Sequence, residues 1–487
     1  MAVTSLTGGD CGSYPDLQLY IGGHWRPGSS RQTIPVVDPG TGETFAALPV
    51  AAPEDVDAAA KAAGAAFEGW RETPAIERAR VLRGAAVALR GDLESLARNT
   101  SRESGKPLHE SRGEVAIAAD TLDWFAGEAQ RTNGALLPAR NRDSEFRVDH
   151  LPVGPVAAFC AWNAPLANPV RKIAPALAAG CSAVLKASEE TPAGALALAR
   201  ALEAAGLPAG ALNLVFGNPA EISECLIAHP AIRKISFTGS TSVGKRLARA
   251  AAVRMKPATM ELGGHAPVFI FDDADIEAAA AAAVTAKFRN AGQICFSPSR
   301  FFVQTVVFDR FVSAFVDGAK RLKVGYGLDE ETVMGPLAHA NRMKAMERLC
   351  REAESAGAHR ATGGNALDRR GFYWEPTVYL DVPVSAQLMT TEPFGPVAAI
   401  SRFDGLDDAV AEANRLPYGL SAYVFTRTQH VANEMIEATD SGTIGLNTFQ
   451  VVLPETPFGG VLDSGIGREG GLEGMEPYHV TRFTHWA

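Results

Sequence analysis

From residue 152 onward the chain repeats one pattern that few folds can accommodate. Short apolar runs alternate with helical stretches: "VAAFCAW", "NPVRKIAPALAAG", "SAVLKAS", "TPAGALALARALEAAG", "LNLVFG", "AEISECLIA", "IRKISF". Strands separated by whole helices cannot pair as hairpins, so they must be joined by crossovers into a parallel sheet, an α/β architecture. A second series begins at "HAPVFIF" and runs through "DIEAAAAAAVTAKFRN", "RFFVQ", "RFVSAFVDGAKRL", "VAAISRF", "DDAVAEANR", "AYVFTR" and "HVANEMIEA". The paired glycines of "MELGGH" between the two series mark a turn and a domain junction. Residues 54 to 130 read as mostly helix. "SEFRVDHLPVG" and "YHVTRFTHW" alternate apolar and polar positions, and both are expected to be edge strands that leave the globule to pair with another subunit.

At 487 residues the chain exceeds the size of one core, so two or more packed regions are expected, with disorder confined to the first dozen residues. A formal charge of −9, with Lys and Arg scattered, disfavours nucleic acid as a partner. No apolar run is long enough to span a bilayer and no leader is evident, so the expected location is cytoplasmic, away from membranes. Six cysteines (Cys11, Cys160, Cys181, Cys225, Cys295 and Cys350) lack metal or disulfide spacing, and the ten histidines show no ligand pattern, so reduced thiols and no metal are expected.

Two glycine-rich segments imitate nucleotide loops. "GIGREG" (Gly465 to Gly470) has too little chain after it for the helix and strand that a dinucleotide fingerprint requires. "GSTSVGK" (Gly239 to Lys245) is followed by Arg246, not the hydroxyl residue that would hold Mg²⁺, which argues against a triphosphatase. Its context, strand into turn into helix, still presents backbone N–H groups to an anion. From this loop alone an ordinary βα turn is the simpler reading.

Segments spread over the chain together resemble the aldehyde dehydrogenase superfamily, closest in pattern to the NAD-dependent succinate-semialdehyde type: "YIGGHW", "WNAP", "LKASEETP", "FTGSTSVG", "MELGGHAP", "GQICFSPSR", "EPFGPV", "PYGLSAYVF", "GLNTF" and "PFGGVLDSGIGRE". The resemblance implies a Rossmann-type dinucleotide-binding domain (1–130 and 152–262) and an α/β catalytic domain (263–463). It also implies a small β oligomerisation extension with the C-terminal tail (131–151 and 464–487), and hence a homodimer or homotetramer.

The same resemblance implies the chemistry. An aldehyde carbon becomes a hydride donor only once a nucleophile has made it tetrahedral, and Cys295 matches the family nucleophile. A lone Cys is more often a core residue, but the surrounding motif reverses that preference, and a thiol pKa lowered by dipoles or cations is expected. Asn163 matches the oxyanion donor, a role typically worth about 3 kcal/mol in a transition state; taken alone, an Asn after a strand is as readily a turn residue. Glu261 matches the general base that activates water against the thioester. Lys172 and Glu469 match proton-relay positions, although a surface salt bridge explains them nearly as well.

For the cofactor, Lys186 and Glu189 match the adenosine-ribose site, and a carboxylate there would repel a 2′-phosphate, so NAD is expected over NADP. Gly239 and Ser240 would take the pyrophosphate, Glu392 the nicotinamide ribose, and Phe394 the adjoining ring, with Trp162, Ser188, Gly217, Phe237 and Leu262 completing the set. Arg171 and Arg289 resemble a carboxylate-binding pair, which points to a small carboxylated semialdehyde; Arg289 could instead cap its helix. Phe296 and Phe449 could equally frame an aromatic or longer aliphatic aldehyde. Leu462, Ala161, Val452 and Leu453 depart from the family pattern and make the pocket more apolar. Release of the acyl group to coenzyme A in place of water is a further alternative.

Overall fold

A computed structural model describes residues 14–487. Cys11 and the expectation for the first dozen residues fall outside them. The first apolar series forms a sheet of eight strands in the spatial order His24–Arg26, Leu19–Ile21, Leu212–Val215, Ala183–Lys186, Val156–Phe159, Lys234–Thr238, Ala258–Glu261 and Gly465–Ile466. The five central strands, from Leu212–Val215 to Ala258–Glu261, are mutually parallel. Nearly all their side chains are buried, because helices cover both faces. In chain order these five run third, second, first, fourth, fifth across the sheet. The winding therefore reverses between Val156–Phe159 and Lys234–Thr238, and the loops leaving that switch point diverge to open a crevice at the carboxyl ends.

The second series forms a seven-stranded sheet, parallel except for the antiparallel edge strand His359–Thr362. Each sheet has its own apolar core. One is built from residues between Leu17 and Leu262 together with Met475 and Tyr478, the other from residues between Ala266 and Met435. The "MELGGH" turn lies where one core gives way to the other. Helices Pro53–Glu72, Ala75–Gly91, Leu93–Ser104 and Leu108–Glu128 account for the helical reading of residues 54 to 130.

Glu145–Pro152 and His479–Trp486 pair with each other, antiparallel, and Ala135–Leu137 adds a third strand. Glu145–Pro152 is thus the central strand of this sheet and not an edge, with His479–Trp486 and Ala135–Leu137 on its two sides. The sheet leaves Leu136, Leu137, Val480, Phe483 and Trp486 exposed. Among the described residues all five cysteines are free thiols, no group of side chains could hold a metal ion, and no helix is long and apolar enough to cross a membrane.

Candidate active site

The crevice at the switch point collects most of the expected cofactor residues, because each follows the carboxyl end of a parallel strand. Trp162 lies beyond Val156–Phe159, Ser188 and Glu189 beyond Ala183–Lys186, Gly217 beyond Leu212–Val215, and Gly239 and Ser240 beyond Lys234–Thr238. Lys186 Nζ lies 2.6 and 2.8 Å from the two Glu189 carboxylate oxygens, and the Gly217 N–H donates to Glu189 Oε1 at 3.0 Å. This fixes a carboxylate at the crevice rim. A side chain at Gly239 would meet the Phe237 ring at 2.5 Å, so only glycine lets the chain turn there. Helix Thr241–Ala252 starts after Ser240 with no side-chain cap, so its first N–H groups remain available to an outside anion. Leu262 packs against Gly244.

Glu392 and Phe394 arrive from the second unit. Phe394 meets Trp162 edge to face at 5.5 Å. Its backbone is left-handed (φ 43°), a costly state for a residue with a Cβ, and Arg342 holds it by donating to the Pro393 and Phe394 carbonyls at 2.5 and 2.8 Å. Glu392 lies so close to Gly263 that a Cβ there would sit 2.4 Å from its carboxylate. Burial, with Glu261 nearby, pushes the Glu392 carboxyl up to about 8, against a backbone N–H from Gly264. Its Oε1 is buried without a hydrogen-bond partner. An orphaned buried acceptor beside an anion-accepting helix start fits a ribose hydroxyl and a dinucleotide pyrophosphate.

Cys295 follows the helix Ile276–Phe288, whose Asp275 cap accepts from the Ala278 N–H at 3.2 Å. The chain then turns sharply through Asn290, Ala291 and Gly292, all left-handed (φ 48°, 51° and 72°). The turn delivers Cys295 to the wall of a cavity of about 650 Å³, which Asn163, Arg171, Glu261, Arg289, Phe296, Phe449 and Glu469 also line. The Asn163 amide has a fixed orientation. Its Nδ2 donates to the Gln293 carbonyl at 3.2 Å and its Oδ1 accepts from Asn168 at 3.2 Å.

Glu261 ends the strand Ala258–Glu261, is buried, and has one carboxylate oxygen without a partner. Burial, then repulsion from Glu469, pushes it up to about 7, against the Cys295 thiol, Lys172 and Arg171. The thiol departs from expectation. It is raised well above its usual value, first by burial and then by the Glu261 carboxylate beside it, and the cation Arg171 only partly opposes this. Glu261 is therefore placed to accept the proton of a thiol that rests protonated. Lys172 and Glu469 form a fully buried ion pair, not a surface bridge. Despite burial, Glu469 and Cys160 hold the Lys172 ammonium above its usual range.

In the same cavity the Arg171 guanidinium stands 5.7 Å over the Phe458 ring. Phe458 contacts Phe296 at 5.7 Å, Tyr423 contacts Phe449 at 4.8 Å, and the Tyr423 hydroxyl donates to the Phe296 carbonyl at 2.7 Å. Val452 and Leu453 also line the cavity. Leu462 lies elsewhere, exposed and left-handed (φ 53°), in a short strand pair with Tyr418–Gly419. Ala161 contributes its carbonyl to Asn168 at 3.4 Å.

Among the cavity residues that escape sequence reasoning are the aromatic Tyr423 and Phe458 and the charged Lys106, Glu110 and Glu114. Glu110 and Glu114, four apart, share one face of the helix Leu108–Glu128, and Lys106 lies in the short segment just before it. The Glu110 carboxylate accepts the Asn290 N–H at 3.0 and 3.1 Å, so it holds the first left-handed residue of the nucleophile turn.

Comparison with known proteins accords with this geometry. Residues 25–484 match the model of the aldehyde dehydrogenase family. The chain is 46% identical to 4-(hydroxymethyl)benzenesulfonate dehydrogenase TsaD1 of Comamonas testosteroni, over 96% of this chain and 98% of the relative. It is 39% identical to succinate-semialdehyde dehydrogenase (NADP) GabD of Escherichia coli (strain K12), over 95% and 96%. The crystal structure of succinate-semialdehyde dehydrogenase from Burkholderia pseudomallei superposes with a TM-score of 0.95 at 40% identity, covering 97% of this chain and 98% of that one. The chain belongs to the aldehyde dehydrogenase family, whose members are oxidoreductases that use NAD or NADP.

Proposed function

We propose that this protein oxidises an aldehyde that carries an anionic group to its carboxylic acid, through a thioester on Cys295, with NAD as the preferred acceptor. The observation that carries the reading is that Cys295, Glu261 and Asn163 line one cavity. Glu261 takes the thiol proton and Cys295 Sγ bonds to the aldehyde carbon. The resulting oxyanion lies between Asn163 Nδ2 and the Cys295 N–H, donors already fixed before reaction. When bound, the dinucleotide supplies the hydride acceptor; Lys186, Glu189, Gly239, Ser240, Glu392 and Phe394 would hold it. The thiol proton held by Glu261 first leaves through the adjoining Lys172–Glu469 pair. Glu261, ionised again, then removes a proton from water, which attacks the thioester carbon, and the acid leaves as the Cys295 sulfur is released. The water proton leaves by the same route.

Two features support an anionic substrate. Arg171 and Arg289 line the same cavity as the nucleophile, and the relatives named above are described as acting on a benzenesulfonate and on a succinate semialdehyde. Phe296, Phe449, Phe458 and Tyr423 further favour an aromatic body between the aldehyde and the charge. The Glu189 carboxylate at the crevice rim supports NAD over NADP. The two cores support a division into dinucleotide-binding (1–130, 152–262) and catalytic (263–463) domains. The apolar side chains that the three-stranded sheet leaves exposed support a homodimer or homotetramer, which light scattering would size.

The test compares kcat/KM for succinate semialdehyde, benzaldehyde and a benzaldehyde bearing a para-sulfonate, with NAD and with NADP. A preference for both anionic aldehydes over benzaldehyde is expected, and a large preference for benzaldehyde contradicts the anionic substrate. Turnover by Glu261→Gln at the native rate in the presence of coenzyme A would favour thiol release over hydrolysis.

A further inference from the structure

Lys106 is buried between the helices Leu93–Ser104 and Leu108–Glu128, where a charge is costly unless it is used. Its Nζ pairs with Glu114 and donates to the main-chain carbonyl of Asn163 at 3.2 Å. Glu114 faces the other way as well: its Oε1 accepts the N–H groups of Leu166 and Ala167 at 2.9 and 3.2 Å. The same Asn163 carbonyl takes a second bond from Asn290 Nδ2 at 3.2 Å, and Asn290 is the residue whose N–H Glu110 holds. The carbonyl of Asn163 is therefore the joint at which the loop after strand Val156–Phe159 is fastened to the turn before Cys295.

The carbonyl and the side chain of Asn163 hang from one Cα. Turning the peptide plane swings the side-chain amide, whose other hydrogen bonds run from Nδ2 to the Gln293 carbonyl and from Asn168 to Oδ1. We infer that Lys106, with Glu114 as its counter-charge, is a positioning residue that aims the Asn163 amide at the oxyanion formed on Cys295. This inference rests on the oxyanion role proposed for Asn163. Among the described residues Lys106 Nζ hydrogen-bonds Glu114 and the Asn163 carbonyl, and its charge also favours the ionised form of Glu110, which holds the Asn290 N–H.

The test is a double-mutant cycle on the full chain with p-nitrophenyl acetate. This ester needs no cofactor: its acyl C–O bond breaks as the Cys295 thioester forms, p-nitrophenolate leaves, and the thiol proton passes to Glu261. The acylation burst is measured for the native protein, Lys106→Met, Asn163→Ala and the double variant. Lys106→Met is expected to slow the burst on the order of 10- to 100-fold in the native background, as sub-ångström misplacement of a donor does, and less than about twofold once Asn163 is alanine. Lys106→Arg should recover part of the loss. Equal fold-losses in both backgrounds would overturn the positioning role and leave the role of Asn163 intact. A normal burst in Asn163→Ala would overturn both. If Lys106→Met does not fold, Lys106→Met combined with Glu114→Gln removes both charges and carries the same cycle.

Discussion

The raised carboxyl of Glu261 leads to the most specific expectation. Burial and the neighbouring Glu469 place it at about 7. As a base it acts only when ionised, so the rate of thioester hydrolysis should rise with pH. A group at that value is roughly 9% ionised at pH 6 and roughly 91% at pH 8, about a tenfold span. An ordinary glutamate would already be about 98% ionised at pH 6 and would give a flat profile. The assay is single-turnover decay of the acyl-enzyme, formed with p-nitrophenyl acetate and followed from pH 5.5 to 8.5. The acid limb should disappear in Glu261→Gln, along with most of the rate. Because Glu469 raises Glu261 while Lys172 lowers it, Glu469→Gln should move the limb to lower pH. A flat native profile, or a limb that survives Glu261→Gln, would refute the assignment.

Three further outcomes follow from the geometry. Glu189→Gln should raise the NADP to NAD ratio of kcat/KM about tenfold, read as NADPH and NADH absorbance, since it removes the fixed charge facing a 2′-phosphate. Arg171→Ala or Arg289→Ala should raise KM for a sulfonated benzaldehyde by one to two orders of magnitude, on the order of 1.5–3 kcal/mol per charged hydrogen bond, while benzaldehyde changes little. Lys172→Met should lower stability in urea by about 3–5 kcal/mol, because it strands the buried Glu469 charge; adding Glu469→Gln should recover most of that loss.

The central strands are legible because burial on both faces demands uninterrupted apolar runs, and "VAAF", "AVLK" and "KISFT" show them directly. Their spatial order is not written locally; it follows from the handedness of the crossovers. The hairpin of Thr33–Asp38 with Glu43–Pro49 is harder to see, since it is partly exposed and Pro35 interrupts it. The alternation in 145–152 and 479–486 signals strands but not their register, and that the two pair with each other is visible only in the fold.

At the site, the residues proposed to touch substrate or cofactor carry the motifs. The direction of the Cys295 pKa does not, because a motif shows the nucleophile without the carboxylate that folding sets beside it. Lys106 and Glu114 are silent for a similar reason. They serve as a pair only when Asn163 and Leu166, distant in sequence, are brought to them.

Covalent attachment of the substrate at one sulfur is the central claim. Intact-protein and peptide mass spectrometry of the native protein, mixed with the preferred aldehyde and NAD and quenched in acid within the first turnover, tests it most directly. The account predicts a mass increase equal to the acyl group on the peptide that contains Cys295, absent without NAD and absent in Cys295→Ala. Undiminished aldehyde oxidation by Cys295→Ala, or an adduct on any other residue, would contradict it.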